Sequence, residues 1–319
     1  MKILVGDIGG SNIRLSSCSF GPDNDIQLHH SWRCSTMEFQ TLFDVVQVYT
    51  HRFPTEHFEY GVFAVAAPTD GLQAQLTNAN WTANVHRLPF PAVLLNDLEA
   101  AGWGTFNRNL QKHVLQHGSS SSSEVESSVL GIGTGLGLAH CYPTPRFVSP
   151  TEFGHVSFAP FNEQTIRLWL WWQGTKTERL TVEAVCSGRG FANLVHFIAD
   201  EHPELLPTDW TGQSDDWGEW LSQHPEIPFT QQVWELFFAI LGSVCGDVIV
   251  GNRSSQLALC GGVVDKNVAL FQTWESTFLQ ALYDKEPMRH IVEESSICIL
   301  SESKLQQIGC GLWYANQFA

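Results

Sequence analysis

Two mixed sheets flanked by helices, in a two-domain α/β architecture, are what this sequence predicts. Three observations carry that expectation. The 319 residues exceed one comfortable hydrophobic core and suit two domains. Stretches of near-continuous or alternating apolar residues and stretches at helical spacing follow one another along the whole chain. The pattern of strand, glycine-rich turn and strand also occurs twice, as "ILVGDIGGSNIRL" at residues 3–15 and "SVLGIGTGLGLAH" at residues 128–140.

The elements can be justified in order. "KILVGDIG", "IRLSSCSF" and "IQLHHSWR" read as three strands joined by short turns, an antiparallel meander. "MEFQTLFDVVQVYTHRF" places apolar residues at helical spacing and is closed by Pro54. "YGVFAVAAP" and "PAVLLND" are buried strands with "LQAQLTN" as a neighbour, and "LEAAGWGTF" starts a helix. A polar interval, "QKHVLQHGSSSSSEVES", separates these from the second glycine turn, and its serine run 119–123 reads as a low-complexity loop. Helices are expected near 163–173, 188–200 and 230–251, then a strand "QLALCGGVV", a helix "VALFQTWESTFLQALY", a strand "ICILSE" and a closing helix "SKLQQIGCGLWYANQF". The expected domain division is 1–107 completed by 304–319, against 108–303.

Composition narrows the class. A net charge of −16 argues against a nucleic-acid or anionic-membrane partner, because either needs concentrated Lys and Arg. No signal core follows "MKILVGD", and no uninterrupted apolar run is expected to span a membrane. The eight cysteines sit singly with no C-x-x-C pair, as buried thiols of a reducing cytoplasm would.

The second turn, "GIGTGLG", fails as a dinucleotide fingerprint, since positions 136 and 138 are leucine and the chain resumes as a strand. A P-loop is excluded because no Gly-Lys pair exists. Glycines still let backbone N–H groups approach an anion, and Ser11 and Thr134 add hydroxyl donors. Two such turns directed at one ligand would make a phosphate clamp, whereas either alone reads equally well as an ordinary hairpin.

D-x-G-G-S-N-x-R followed by G-T-G-x-G and a strand ending in Gly-Gly resembles the hexokinase–actin–Hsp70 ATPase superfamily. The series "VGDIGGSNIRL", "LTNANW", "LLNDLEA", "GIGTGLGLAH", "TEFGHVSFAP", "VEAVCSGRGFANL" and "LALCGGVV" is similar to the bacterial-type glucokinase family over nearly the whole chain. The cysteine-rich zinc motif of the repressor–ORF–kinase group does not follow "EFGH", which favours the zinc-free branch. The resemblance implies a two-domain actin-like (ribonuclease H-like) ATPase fold with a cleft between the domains. It also implies ATP-dependent phosphorylation of glucose at its 6-hydroxyl and, by analogy, a homodimer.

The resemblance assigns Asp97 as general base on the sugar hydroxyl, with Asn96 beside it. Read alone, Asp97 could equally cap the helix it precedes. Glu152, His155 and Glu183 are the further implied sugar ligands, a donor and acceptor set suited to a polyol. Asp7 would position hydrated Mg²⁺; Gly9, Gly10, Ser11, Thr134, Gly135 and Gly137 would meet phosphates, and Gly261 and Gly262 the adenosine. Arg14 is assigned only support of its turn. Phe153 departs from the family, which has glycine there, and the ring would either turn outward or narrow the sugar pocket. A kinase for another hexose and a non-catalytic sugar-binding regulator are the competing readings. The intact Asp7, Asp97 and both turns speak against the regulator.

Overall fold

Strand β1 (Ile3–Ile8) is apolar almost throughout, and a strand of that composition has to be covered on both faces. Its alternate residues divide accordingly. Ile3 and Val5 join a buried cluster with Val62, Ala64 and Leu95, whereas Leu4 and Ile8 join another with Phe63, Val65 and Leu94. The computed structural model describes residues 2–22, 25–76, 81–118, 125–208, 210–214 and 216–318. The serine run 119–123 and the Thr77–Asn80 part of "LTNANW" lie outside the described residues. The chain forms two units, Met1–Gln111 with Ala139–Pro150 and Glu302–Ala319, and Lys112–Leu138 with Thr151–Ser301.

Next to β1 comes β2 (Asn12–Phe20), antiparallel, and then β3 (Ile26–Ser35), antiparallel to β2. The expected long helix over 37–53 is instead a single 3₁₀ turn at Thr36–Glu38 and then α1 (Leu42–Arg52). The hydroxyl of Thr41 accepts the N–H of Asp44 and so sets the later start of α1. Strand β4 (Tyr60–Val65) runs parallel to β1. The short β5 (Gln73–Gln75) and β6 (Thr82–Asn84) make a separate ribbon, and β7 (Ala92–Asn96) lies parallel to β4. The sheet order is β3-β2-β1-β4-β7, and β7 leads directly into α2 (Asp97–Thr105).

The polar interval that begins at Gln111, in which the sequence indicates no strand, contributes strand β8 (Lys112–Gln116), antiparallel to β13 (defined below). Then come β9 (Ser127–Ile132), β10 (Leu136–Pro143), β11 (Arg146–Thr151), α3 (Glu163–Thr175), α4 (Gly190–Glu201), α5 (Trp217–Gln223) and α6 (Pro228–Asn252). They are followed by β12 (Gln256–Cys260), α7 (Gly262–Lys266), α8 (Val268–Thr273), α9 (Glu275–Tyr283), α10 (Arg289–Glu294), β13 (Ser296–Leu300) and α11 (Leu305–Phe318). The helix expected over 268–283 bends at Trp274, whose backbone lies at φ −109° and ψ 19° while its N–H still donates to the Leu270 carbonyl. The second sheet has the order β11-β10-β9-β12-β13-β8, with β9, β12 and β13 mutually parallel.

Helix α6 is long and apolar enough to cross a membrane by length and composition alone, although Glu235 and Asp247 interrupt its apolar run. Most of it is buried, however, and Phe229, Trp234, Phe237 and Phe238 join the core of the second unit. It is the central helix of that core.

Helix α11 closes the first unit against α2, carrying Cys310 and Tyr314 into the cluster of Ile3 and Val5. The two backbones meet at Gly309, where a Cβ would overlap the carbonyl of Ala100. Gly309→Ala should therefore force α2 and α11 apart, and urea unfolding should show a loss of about 3 kcal/mol, the upper part of the range for overpacking.

Candidate functional site

Strand pairing decides which predicted residues share a place. In the first unit, Ile8, Val65 and Asn96 are level across β1, β4 and β7. The Gly9–Ser11 turn and the Asn96–Asp97 junction thus emerge from the same, carboxyl edge of the sheet. They are two strand spacings, about 10 Å, apart. Carboxyl edges of parallel strands are where α/β folds place their ligands.

The first turn is fixed from both sides. The N–H of Gly9 donates to the Asn12 carbonyl at 2.9 Å, and the buried Thr36 donates its hydroxyl to Gly9 O at 2.7 Å and its N–H to Ser11 O at 3.1 Å. The N–H groups of Gly10 and Ser11 donate to no acceptor among the described residues. Asp7 stands opposite Arg14 on β2, whose Nη1 donates to Asp7 Oδ2 at 2.8 Å. Burial raises the Asp7 carboxyl above its usual range and outweighs the lowering by Arg14. The arginine that sequence reasoning left as turn support is thus the counter-ion of Asp7.

At the end of β7 the cap is Asn96. Its side-chain oxygen accepts from the N–H groups of Leu98 and Glu99, and its Nδ2 approaches the Ala67 carbonyl at 3.5 Å. Asp97 is the first helical residue, half-buried, and its Oδ1 accepts the N–H of Leu98 at 2.9 Å. The cap that might have explained Asp97 away belongs chiefly to its neighbour. Glu99, on the same first turn, has its carboxyl pushed up to about 7 by burial, against the lowering effect of the Asn96 N–H.

In the second unit, Thr134 and Gly135 lie on the turn between β9 and β10, Gly137 is the second residue of β10 rather than part of the turn, and Gly261–Gly262 follow β12, the parallel neighbour of β9. Gly261 has φ +101°, and a Cβ there would press on the backbone of Ile132, so no other residue fits. The turn closes through Gly133 N–H to Gly135 O at 3.0 Å, and the N–H groups of Thr134 and Gly135 donate to no acceptor among the described residues. Each unit therefore presents two adjacent backbone donors at a strand's carboxyl end.

Glu183 ties this turn to the predicted sugar residues. Its Oε2 accepts the N–H of Leu136 at 2.9 Å, while its own N–H donates to Gly154 O at 2.9 Å, within the 3₁₀ turn Phe153–His155. Glu152 and His155 are both exposed, with Oε2 and Nε2 3.9 Å apart, and Arg179 Nη2 donates to the His155 carbonyl at 2.7 Å. The ring of Phe153 packs against the unit's core and lines a cavity of about 170 Å³ with Val156, Phe158, Val182 and Val244. It turns inward, an orientation that the sequence did not indicate.

Residues 188 and 189, which sequence reasoning passed over, complete the turn. Gly188 N–H donates to Gly133 O at 2.7 Å and Arg189 N–H to Thr134 O at 3.1 Å. Their only signal in the sequence is the glycine-flanked arginine of "CSGRGF". A larger cavity of about 680 Å³ in the first unit, bounded by Thr36, Gln40, Trp81, Asn84 and Arg87, is lined by no carboxylate or imidazole and contains none of the predicted site residues.

Among the described residues no group of three or more His, Cys, Asp or Glu could hold a metal ion. A magnesium that arrives on a nucleotide would need no such group, since it keeps waters and phosphate oxygens as ligands and takes only one or two protein carboxylates.

The glucokinase family model matches residues 4–317. A glucokinase of Nostoc sp. strain PCC 7120 is 28% identical over 346 residues, covering 98% of this chain and 99% of the relative. Among solved structures, glucokinase from Balamuthia mandrillaris in complex with glucose superposes with a TM-score of 0.81 at 20% identity, covering 98% of this chain and 93% of that one. A ROK family glucokinase from Streptomyces griseus in complex with glucose and AMPPNP gives 0.66 at 17% identity, with 98% of each chain covered. These likenesses establish the actin-like ATPase fold.

The Glu99 carboxyl makes stability depend on pH. Between about 4.5, the ordinary value, and about 7, the folded state keeps a proton that the unfolded chain has lost. Stability is therefore greatest below that window and is withdrawn as pH rises through it. Glu99→Gln should match the wild type in melting temperature near pH 4 and exceed it by about 3 °C at pH 8, read by calorimetry.

Proposed function

The chain belongs to the glucokinase family, and we propose that it transfers the γ-phosphoryl group of ATP to the 6-hydroxyl of glucose with Asp97 as the general base. The observation that carries this reading is the level register of Ile8, Val65 and Asn96, which sets a pair of open backbone donors and a carboxylate on one sheet edge.

The chemistry follows from those positions. The carboxylate of Asp97 accepts the proton of the sugar hydroxyl as its oxygen bonds to the γ-phosphorus. The bond from that phosphorus to the bridging oxygen breaks, and ADP leaves with the electron pair. The N–H groups of Gly10, Ser11, Thr134 and Gly135 would meet phosphate oxygens, since successive N–H groups of a turn make a concavity that suits an anion. When bound with the nucleotide, Mg²⁺ supplies further neutralisation, and Asp7 would hold it through water. Glu152, His155 and Glu183 would take ring hydroxyls, and Asn96, its carbonyl already accepting two N–H groups, keeps at most a donor for the sugar.

Phe153 gave the reason to consider another hexose. Its ring packs, partly buried, against the second unit's core, which weakens that reason and favours glucose.

A panel of glucose, mannose, fructose, galactose and N-acetylglucosamine in a coupled ADP-release assay tests the substrate. Glucose should give the highest kcat/KM, and ADP release independent of sugar would refute the reading. Asp97→Asn should lower kcat about 10³-fold, as loss of a general base does, while glucose binding by calorimetry largely survives.

A further inference from the structure

Arg189 stands where the second unit's glycine turn meets the first turn of α4, flanked by Gly188 and Gly190. Its main-chain N–H donates to Thr134 O at 3.1 Å, and its Nε approaches the same oxygen at 3.4 Å. Its Nη2 lies 3.9 Å from Glu183 Oε1, and the side chain is 59% exposed. The stem is thus held against the turn while the outer face of the guanidinium is open to a ligand. Two residues on, Phe191 is buried against Trp234 and Phe237, with ring centroids 5.0 and 4.7 Å away. The start of α4 is therefore anchored in the aromatic core, and the arginine rises from a fixed base.

Charge makes the placement consequential. The chain carries 33 acidic and 17 basic residues, and the neighbouring candidate ligands Glu152 and Glu183 are carboxylates. Without Arg189, a polyphosphate at this turn would meet those negative charges with the turn's amides and the Thr134 hydroxyl but no cationic side chain of the turn itself. No Gly-Lys pair supplies the cation a P-loop would. A guanidinium offers several donors in a planar fork, which suits two phosphate oxygens at once.

We propose that Arg189 is a catalytic residue of the phosphoryl transfer, its guanidinium bridging oxygens of the donor's β- and γ-phosphates and neutralising the charge that gathers on ADP as the bond breaks. The proposal rests on the kinase reading above and adds to it a cationic side chain at the second unit's turn. Glu183 acts on the arginine as a positioning residue, through Oε1, while Oε2 holds the turn.

The test compares wild type, Arg189→Gln and Arg189→Lys by steady-state kinetics and by calorimetric binding of ADP, AMP and adenosine. Arg189→Gln should lower kcat about 10²-fold and weaken ADP about 10-fold with adenosine affinity unchanged, and Arg189→Lys should recover part of both losses. Melting temperatures near the wild-type value would confirm that both variants fold. An Arg189→Gln enzyme with wild-type kcat and ADP affinity, or one that loses ADP and adenosine affinity equally, would overturn the proposal and leave the kinase reading intact. Absence of hexose-dependent ADP release in the wild type itself would overturn both.

Discussion

The carboxylate of Glu183 constrains the second glycine turn more than any other group does. Turns rich in glycine are floppy on their own, since each glycine surrenders more backbone entropy on ordering than other residues. Here a half-buried carboxylate takes the N–H of Leu136, and charge-assisted bonds of this kind are the strong ones. Gly188 and Arg189 add main-chain bonds to Gly133 and Thr134 from the other side. Braced so, the turn can keep the N–H groups of Thr134 and Gly135 pointing outward without spending ligand-binding energy on ordering them. The same residue holds Gly154 through its backbone, so the segment bearing Glu152 and His155 is tied to the turn.

The two sheets are wound alike. β3-β2-β1-β4-β7 and β11-β10-β9-β12-β13 each place an antiparallel meander beside parallel strands, with β8 as an extra edge in the second. That common winding explains why both glycine turns fall at corresponding points, after the first strand of each meander. It also explains why so much chemistry gathers at strand ends: parallel strands deliver successive loops to one edge. The turns are braced by unlike means, however. Thr36, a neutral hydroxyl and amide, supports the first, whereas a carboxylate supports the second.

Most strands and helices could be read from the sequence because their apolar residues recur at fixed periods, as in β1 and α6. What could not be read depended on partners far along the chain. Strand β8 looks polar, yet it pairs with β13, and the buried Gln116 is satisfied by the carbonyls of Val292 and Ser295 and the hydroxyl of Tyr283. No local pattern encodes that arrangement. The glycine turns, Asp97 and Glu183 were legible as motifs, whereas the pairing of Arg14 with Asp7, the inward turn of Phe153 and the position of Arg189 depend on tertiary geometry. A cap is likewise ambiguous in sequence where Asn and Asp adjoin, since both residues suit it.

That ambiguity bears on the chemistry. If Asp97 were the principal cap of α2, its oxygens would be committed to the helix and poorly suited to receive a proton. With Asn96 accepting from Leu98 and Glu99, the helix start is satisfied largely without it. Glu99 then matters for the opposite reason. A permanently ionised carboxylate on the same turn would add a second negative charge close to the candidate base. Burial lifts its titration to about 7, so near neutrality a large share of the molecules carry it uncharged. The first turn of α2 thus divides its three polar side chains between a cap, a candidate base and an acid that burial leaves partly protonated near neutrality, and it does so by environment rather than by residue type.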